Sequence, residues 1–217
     1  MKLSRRIGLL VLCASLGAGV AAGAQPQPRN APREFVVNRH RAVMQLLQRR
    51  PAAGTPERDA RDRAVANVLN GMLDIDELAR RALEPYWAPQ TPANQQEFTS
   101  LLRQLIERNY RENLDGTLGW TVRWEDAVID DAGTSATVRS TAQSNTVRER
   151  AVTIEYRLQR RGQGWIVYDI VTNGASLVQS YHDAYTRIIR DPTKGFPELL
   201  RRLRNRVSQG AAATAAR

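Results

Sequence analysis

The side chains that could do acid–base or nucleophilic chemistry are few and widely spaced. His40 and His182 are the two histidines, and both fall on predicted helices far apart in the chain. Asp169 lies within an apolar strand, where it could be a perturbed acid, the partner of an arginine or a solvent-facing carboxylate. Ser176 stands in Gly-Ala-Ser-Leu, which lacks the trailing glycine of a nucleophile elbow and suits a helix N-cap better. Since no acid, base and nucleophile set can be assembled, we predict that the protein is not an enzyme.

The sequence offers equally little for a metal ion or a cofactor. The single cysteine is Cys13, close to the N-terminus. No glycine-rich phosphate loop and no spacing of metal ligands occurs along the chain. We therefore predict no cofactor, and a fold that depends on one apolar core without disulfides.

The N-terminus has the pattern of an export signal. Lys2, Arg5 and Arg6 precede an apolar run over residues 7–20, and Ala22-Gly23-Ala24 forms a cleavage site of the A-x-A type. We predict a signal peptide over residues 1–24, with an uncleaved membrane anchor as the alternative. The apolar run is short for a membrane span, which favours cleavage.

The chain is strongly basic. Residues 1–24 hold three basic residues and no acidic one, so +7 of the total net charge of +10 remains after cleavage. This charge indicates either an anionic partner or only solubility in an arginine-rich protein. For an exported protein the partner would be a lipid headgroup or an acidic protein surface, and not nucleic acid. Two basic runs could bind phosphate, dock acidic partners or only face solvent: Arg157, Arg160 and Arg161, and Arg201, Arg202, Arg204 and Arg206.

Helical patterns occupy the first half of the chain after a flexible leader predicted over residues 25–33. Thr55 with Pro56 opens a helix, and Asp74 with Glu77 is the pattern of a capping box for a short helix that ends before Pro85. A long amphipathic helix begins at Thr91-Pro92. Two more helical patterns follow residue 176. We predict one domain over residues 34–208 and a disordered tail over 209–217.

Between these helices the apolar pattern changes to the alternation of strands. We predict strands from Trp120 onward, at 134–143, at 148–160 and at 165–172, joined by short turns. The result is an α+β fold, with a four-stranded antiparallel meander whose one concave face is covered by the N- and C-terminal helices. The second strand carries only small side chains on one face, so it could leave a void beneath the helices or be an ordinary edge strand.

Three segments of the chain resemble the MlaC family, also called the toluene-tolerance family. They are LDIDELARRALEPYW at Leu73–Trp87, the strand around Tyr156, and GWIVYDIVTNGASLVQSY at Gly164–Tyr181. The resemblance covers about residues 62–207, although Glu84-Pro85 stands where members usually have glycine and a basic residue. It implies a periplasmic phospholipid carrier of Gram-negative bacteria that helps to maintain outer-membrane lipid asymmetry. The implied partners are an outer-membrane lipoprotein complex and the inner-membrane substrate-binding ring of an ABC transporter.

Family members hold acyl chains in an apolar cavity between the sheet and the helices, and this resemblance favours the void over the edge strand. The apolar residues that we expect to line such a cavity are Leu83, Phe98, Leu101, Leu102, Leu105, Tyr110, Val122, Val138, Ile154, Tyr156, Val167, Val171, Leu177 and Tyr181. Each of them could instead be plain core. Trp120 and Trp124 share a strand face and belong either to the sheet core or to the lip of the opening.

Two other functions remain open from the sequence. The cargo could be a hopanoid or another polycyclic lipid, since a subgroup of the same family is associated with those molecules. Alternatively, the protein could be an adaptor without cargo that binds envelope proteins through its arginine-rich faces. In each case we predict a monomer.

Overall fold

A computed structural model describes residues 30–145, 150–191 and 193–215. The predicted signal peptide and most of the predicted leader lie outside these residues. The first helix, α1, covers Ala31–Gln48 and has Pro32 in its first turn, where a missing backbone N–H costs nothing. Residues 31–33, which the sequence predicts as the end of the flexible leader, are part of this helix.

Five further α-helices follow, and their first residues agree with the predicted starts. They are α2 (Pro56–Asn70), α3 (Ile75–Ala82), α4 (Pro92–Asn113), α5 (Leu177–Ile189) and α6 (Gly195–Ala215). Helix α6 continues to Ala215, within the segment for which the sequence predicts disorder, and residues 216–217 lie outside the described residues. None of the helices in the described part of the chain combines the length and apolar composition that a membrane span requires.

Side-chain caps fix the starts of four helices: Thr55 caps α2, Asp74 caps α3, Thr91 caps α4 and Ser176 caps α5. The Oγ1 atom of Thr55 accepts a hydrogen bond from the Arg58 N–H, and the Asp74 carboxylate accepts one from the Glu77 N–H. The capping box is only half formed, because the Asp74 N–H donates to the Val167 carbonyl. Glu77 instead pairs with Arg80 and Arg81, and these hydrogen bonds lower the pKa of its carboxyl to about 2.

The sheet has six strands and not the four predicted. The four long strands are β1 (Trp120–Trp124), β3 (Ser135–Ser144), β4 (Val152–Arg161) and β5 (Gly164–Thr172), and the two-residue strands are β2 (Val128–Ile129) and β6 (Ala175–Ser176). All pairs are antiparallel in the order β1-β3-β4-β5-β6, and β2 also pairs with β3. Two residues are too few to display alternation, so the sequence could not indicate β2 and β6.

Strand β3 is an interior strand, so the edge-strand interpretation was wrong. It pairs with β1 and β2 on one side and with β4 on the other. Its small side chains on one face, Ala136, Val138, Ser140 and Ala142, are all buried. They lie beneath helices, on the same face as Tyr156 and Ile154 of β4.

The buried apolar residues form two main cores. A helical core joins α3, α4, α5 and α6, and its largest members include Phe98, Leu102 and Leu199. A sheet core joins one face of the sheet to α1 and to residues 72–75, and includes Val36, Val138 and Val167. Leu73 forms a parallel bridge with Val167, which attaches the chain before α3 to β5. A smaller cluster of Val43, Leu47 and Val65 holds α2 on α1.

Candidate functional site

A pocket opens between the helix-covered face of the sheet and helices α1, α4 and α5. It has two adjoining chambers, with volumes of about 500 Å³ for the first chamber and about 300 Å³ for the second chamber. Both volumes fall at or above the lower end of the range for ligand sites, roughly 300–1,000 Å³. Four side chains belong to both linings: His40, Val43, Tyr110 and Tyr156.

The first chamber lies between α1, α4 and α5, over the ends of β4 and β5. Its apolar wall comes from six side chains: Val43, Leu69, Met72, Leu73, Ile106 and Ile170. The start of α5 adds Leu177 and Tyr181. Asn109 and Thr172 are exposed members of the lining and mark the mouth of the chamber.

The second chamber lies over β1, β3 and β4, and strand register explains its shape. Val122, Ala142 and Val152 form one cross-strand row, and all three line the chamber. Because Ala142 carries only a methyl group between two valines, the side chains of this row are shortest at its centre, and the chamber is deepest there. Trp120 closes one side of the chamber, and Ile154 extends the floor toward Tyr156.

Burial disfavours the charged forms of His40, Tyr110 and Tyr156, the titratable side chains that both chambers share. Burial lowers the pKa of His40, so its imidazole is neutral at pH 7. Burial raises the pKa of Tyr110 to about 12 and raises that of Tyr156 still further. No carboxylate occurs among the described residues that line either chamber. The arrangement therefore suits an apolar ligand and supplies no acid–base pair.

The structure brings together six of the fourteen residues that the sequence proposed for lipid binding. Tyr110 and Tyr156 line both chambers, Leu177 and Tyr181 line the first, and Val122 and Ile154 line the second. Five of these six are on the sheet or on α5, and Tyr110 is on α4. The strand residues were proposed from the apolar alternation of the strands, and Leu177 and Tyr181 from the apolar stripe of α5. In the structure these five residues line the chambers.

The other eight are buried and line neither chamber. Five belong to the helical core: Leu83, Phe98, Leu101, Leu102 and Leu105. Val138 and Val167 belong to the sheet core, and Val171 is buried beside a small polar cleft that contains Arg139 and Glu155. A role for these eight in lipid binding stays a prediction.

Sequence reasoning missed the contribution of α1 and α2. His40 and Val43 of α1 line both chambers, and Leu69 of α2 lines the first. The signal was present in the apolar stripe of α1, which runs from Val36 to Leu47. An apolar stripe of this kind shows that a helix face is covered, but it does not distinguish a face in the core from a face that lines a pocket.

The two tryptophans of β1 have different positions. Trp120 lines the second chamber. Trp124 is half-buried and packs against the sheet core, with ring-centroid distances of 5.4 Å to His40 and 5.7 Å to Tyr156. Trp124 thereby supports two of the four side chains that the chambers share.

Asp169 is the partner of an arginine and of the start of α5. Its carboxylate accepts hydrogen bonds from Ser176 Oγ at 2.8 Å and the Val178 N–H at 3.0 Å, and lies 3.3 Å from Arg157 Nη1. The Ser176 hydroxyl oxygen also accepts a bond from the Gln179 N–H and caps α5. Asp169 thus fixes α5, with Leu177 and Tyr181, against β5. Within residues 30–145, 150–191 and 193–215, no cluster of histidine, cysteine, aspartate or glutamate could hold a metal ion.

An α+β domain with an apolar pocket between its sheet and helices is typical of proteins that bind apolar ligands. The profile of the MlaC protein family matches residues 38–205, and this chain therefore belongs to the MlaC family. A similar solved structure is that of the phospholipid-binding protein from Ralstonia solanacearum in complex with a phospholipid. It is 24% identical, covers 85% of this chain and 99% of its own, and superposes with a TM-score of 0.68. A search of curated proteins found no match.

Proposed function

We propose that this protein is a periplasmic phospholipid carrier that shields acyl chains in the two chambers between its sheet and its helices. The observation that carries this proposal is the pocket itself. The second chamber is lined by apolar and aromatic side chains, and His40 is the one histidine among its described lining residues. Burial lowers the pKa of this histidine. The first chamber adds a polar mouth to an apolar wall. A pocket with a polar end and an apolar end suits an amphiphile.

The energetics of lipid transfer explain why such a pocket is sufficient. Each methylene exposed to water costs about 0.8 kcal/mol, so one long acyl chain costs on the order of 10 kcal/mol. A pocket that matches the apolar environment of a bilayer removes this cost, and lipid can enter and leave by exchange. No covalent bond needs to break, so the function requires no catalytic residues.

Membership of the MlaC family supports the place of this carrier in the envelope. We propose that it moves phospholipid between an outer-membrane lipoprotein complex and the inner-membrane substrate-binding ring of an ABC transporter, as a monomer. This traffic would maintain the lipid asymmetry of the outer membrane. A carrier with equal affinity at both ends biases nothing, so direction must come from these partners.

Extraction of the purified protein tests the proposed cargo. Protein prepared without detergent is extracted with organic solvent, and the extract is quantified by mass spectrometry. We expect glycerophospholipid in an amount comparable to the protein. A hopanoid in its place would keep the carrier and change the cargo, whereas an extract without lipid would favour the adaptor and contradict the proposal.

Filling the second chamber is expected to lower its capacity without damaging the fold. In Ala142→Phe, the new ring occupies the low centre of the cross-strand row, so we expect a severalfold loss of extracted lipid and unchanged or higher thermal stability. Ala136→Phe is the matched control, since Ala136 lies on the same face of β3 but in the sheet core. Overpacking there is expected to destabilise the protein by about 1–3 kcal/mol in urea unfolding. Equal lipid loss in the two variants would contradict this role of the second chamber.

A further inference from the structure

Arg39 is the one permanently charged residue among the described side chains that line the first chamber. It lies on α1 directly before His40, and its side chain is half-buried. Arginine stays protonated at every physiological pH, whereas burial keeps His40 neutral. The lining of both chambers contains no described aspartate or glutamate. The pocket therefore carries a net positive charge that its own walls do not neutralise.

The guanidinium of Arg39 is held in place by weak contacts only. Its carbon Cζ lies 5.4 Å from the centroid of the Phe35 ring, one turn earlier on α1. Its Nη1 atom lies beside Gly71, the C-cap of α2, where the helix dipole favours a cation. Among the described residues it makes no hydrogen bond and no salt bridge. Five N–H donors are thus held at the chamber without an acceptor.

Several arginines elsewhere on the surface are paired with carboxylates. Glu77 neutralises Arg80 and Arg81, and Glu198 neutralises Arg201 and Arg202. A half-buried cation without a carboxylate is more costly than these exposed pairs, because it loses hydration without gaining a counter-charge. An anion that enters the first chamber would remove this cost.

We propose that Arg39 binds the phosphate group of the cargo and so makes the pocket selective for phosphate-bearing amphiphiles over uncharged ones. The guanidinium fork matches phosphate oxygens, and it lies in the chamber that has the polar mouth. The tail extends along the apolar wall toward Tyr110, Tyr156 and the second chamber. This inference rests on the proposed function, since it names the residue that binds the polar end of the same lipid.

A competition between two lipids with matched acyl chains tests the assignment. The protein is incubated with vesicles of equal parts phosphatidylglycerol and digalactosyldiacylglycerol, which has no phosphate. It is then re-isolated, and both lipids are quantified per protein by mass spectrometry. For the unaltered protein we expect an excess of phosphatidylglycerol. Arg39→Gln is expected to lower the ratio of the two lipids about tenfold, the size of one charge-assisted contact, with the bound galactolipid unchanged.

Matched variants separate binding from folding. Arg41→Gln removes the same charge from the same helix at an exposed position, where Arg41 bonds only to Asn38, and is expected to leave the ratio unchanged. Arg39→Met keeps the aliphatic packing over Phe35 and replaces Arg39→Gln if that variant fails to fold, as judged by circular dichroism. Arg39→Lys is expected to retain part of the preference.

The remaining outcomes distinguish this inference from the proposed function. An unchanged ratio in a folded, lipid-loaded Arg39→Gln or Arg39→Met variant overturns the role of Arg39 and leaves the carrier intact. No lipid of either kind on the unaltered protein overturns the proposed function and this inference together. Calorimetry with inorganic phosphate forms the last arm. Millimolar binding that depends on Arg39, with no lipid preference, would identify a site for a soluble anion and overturn the assignment to a lipid.

Discussion

Replacing Ile154 with glutamate is expected to reduce the lipid that co-purifies with the protein by more than tenfold. Ile154 lines the second chamber, whose described lining contains no permanent positive charge. A carboxylate at this position would remain hydrated in the empty chamber but would be desolvated without a partner once an acyl chain entered. That penalty amounts to several kcal/mol, and 1.4 kcal/mol corresponds to a tenfold change in binding. Mass spectrometry of the extracted lipid measures the effect.

Val128→Glu is the matched control for this substitution. Val128 lies on β2 in the same sheet, is 60% exposed, and lines neither chamber. The same change of a β-branched side chain to a carboxylate is expected to leave the lipid content and the melting temperature unchanged. Full lipid loading in a folded Ile154→Glu variant would mean that acyl chains do not use the second chamber.

Replacing Asp169 with alanine is expected to destabilise the folded protein by about 3 kcal/mol. Asp169 is 2% exposed, and its loss leaves the Ser176 hydroxyl, the Val178 N–H and the Arg157 guanidinium without their shared acceptor. Breaking a buried pair costs about 3–5 kcal/mol, and the lower end applies because the Arg157 side chain is 41% exposed. Urea unfolding followed by circular dichroism measures the free energy of unfolding.

Asp131→Ala provides the comparison for Asp169→Ala. Asp131 is an exposed residue of the turn before β3, so its removal is expected to change the free energy of unfolding by less than about 0.5 kcal/mol. Similar values for the two variants would mean that the buried carboxylate does not fix α5 to β5. A catalytic role for Asp169 would instead require a group in the pocket that it could serve, and its hydrogen bonds all go to the start of α5 and to Arg157.

The helices and long strands could be predicted because their signals are local. Thr55, Asp74 and Ser176 each act as the predicted N-cap, since a short polar side chain before an apolar stripe has few other uses. The limits of this approach appear where one residue has two possible partners. Glu77 satisfied the capping pattern by type and spacing but pairs with Arg80 and Arg81. The backbone N–H that it was expected to cap is already used by β5.

The walls of the pocket could be predicted only in part because they depend on packing between distant segments. Phe98 and Tyr110 lie on the same helix and in the same apolar pattern, yet Phe98 contacts α6 whereas Tyr110 faces α1 and the sheet. Periodicity marks the buried face of α4 but does not say which neighbour covers each turn. The order of the strands had the same difficulty, since the small side chains of β3 suited an edge as well as an interior position.

The separation of the helical core from the two chambers makes this domain a suitable scaffold for redesign. Phe98, Leu102 and Leu199 hold α4 to α6 without lining either chamber, so resizing the second chamber from its strand residues would leave these helical contacts intact. Leu177 and Tyr181 contact both the helical core and the first chamber and should be kept in any such redesign. A library confined to positions such as Val122, Ala142 and Val152 could then yield variants that sequester sterols, dyes or hydrophobic pollutants.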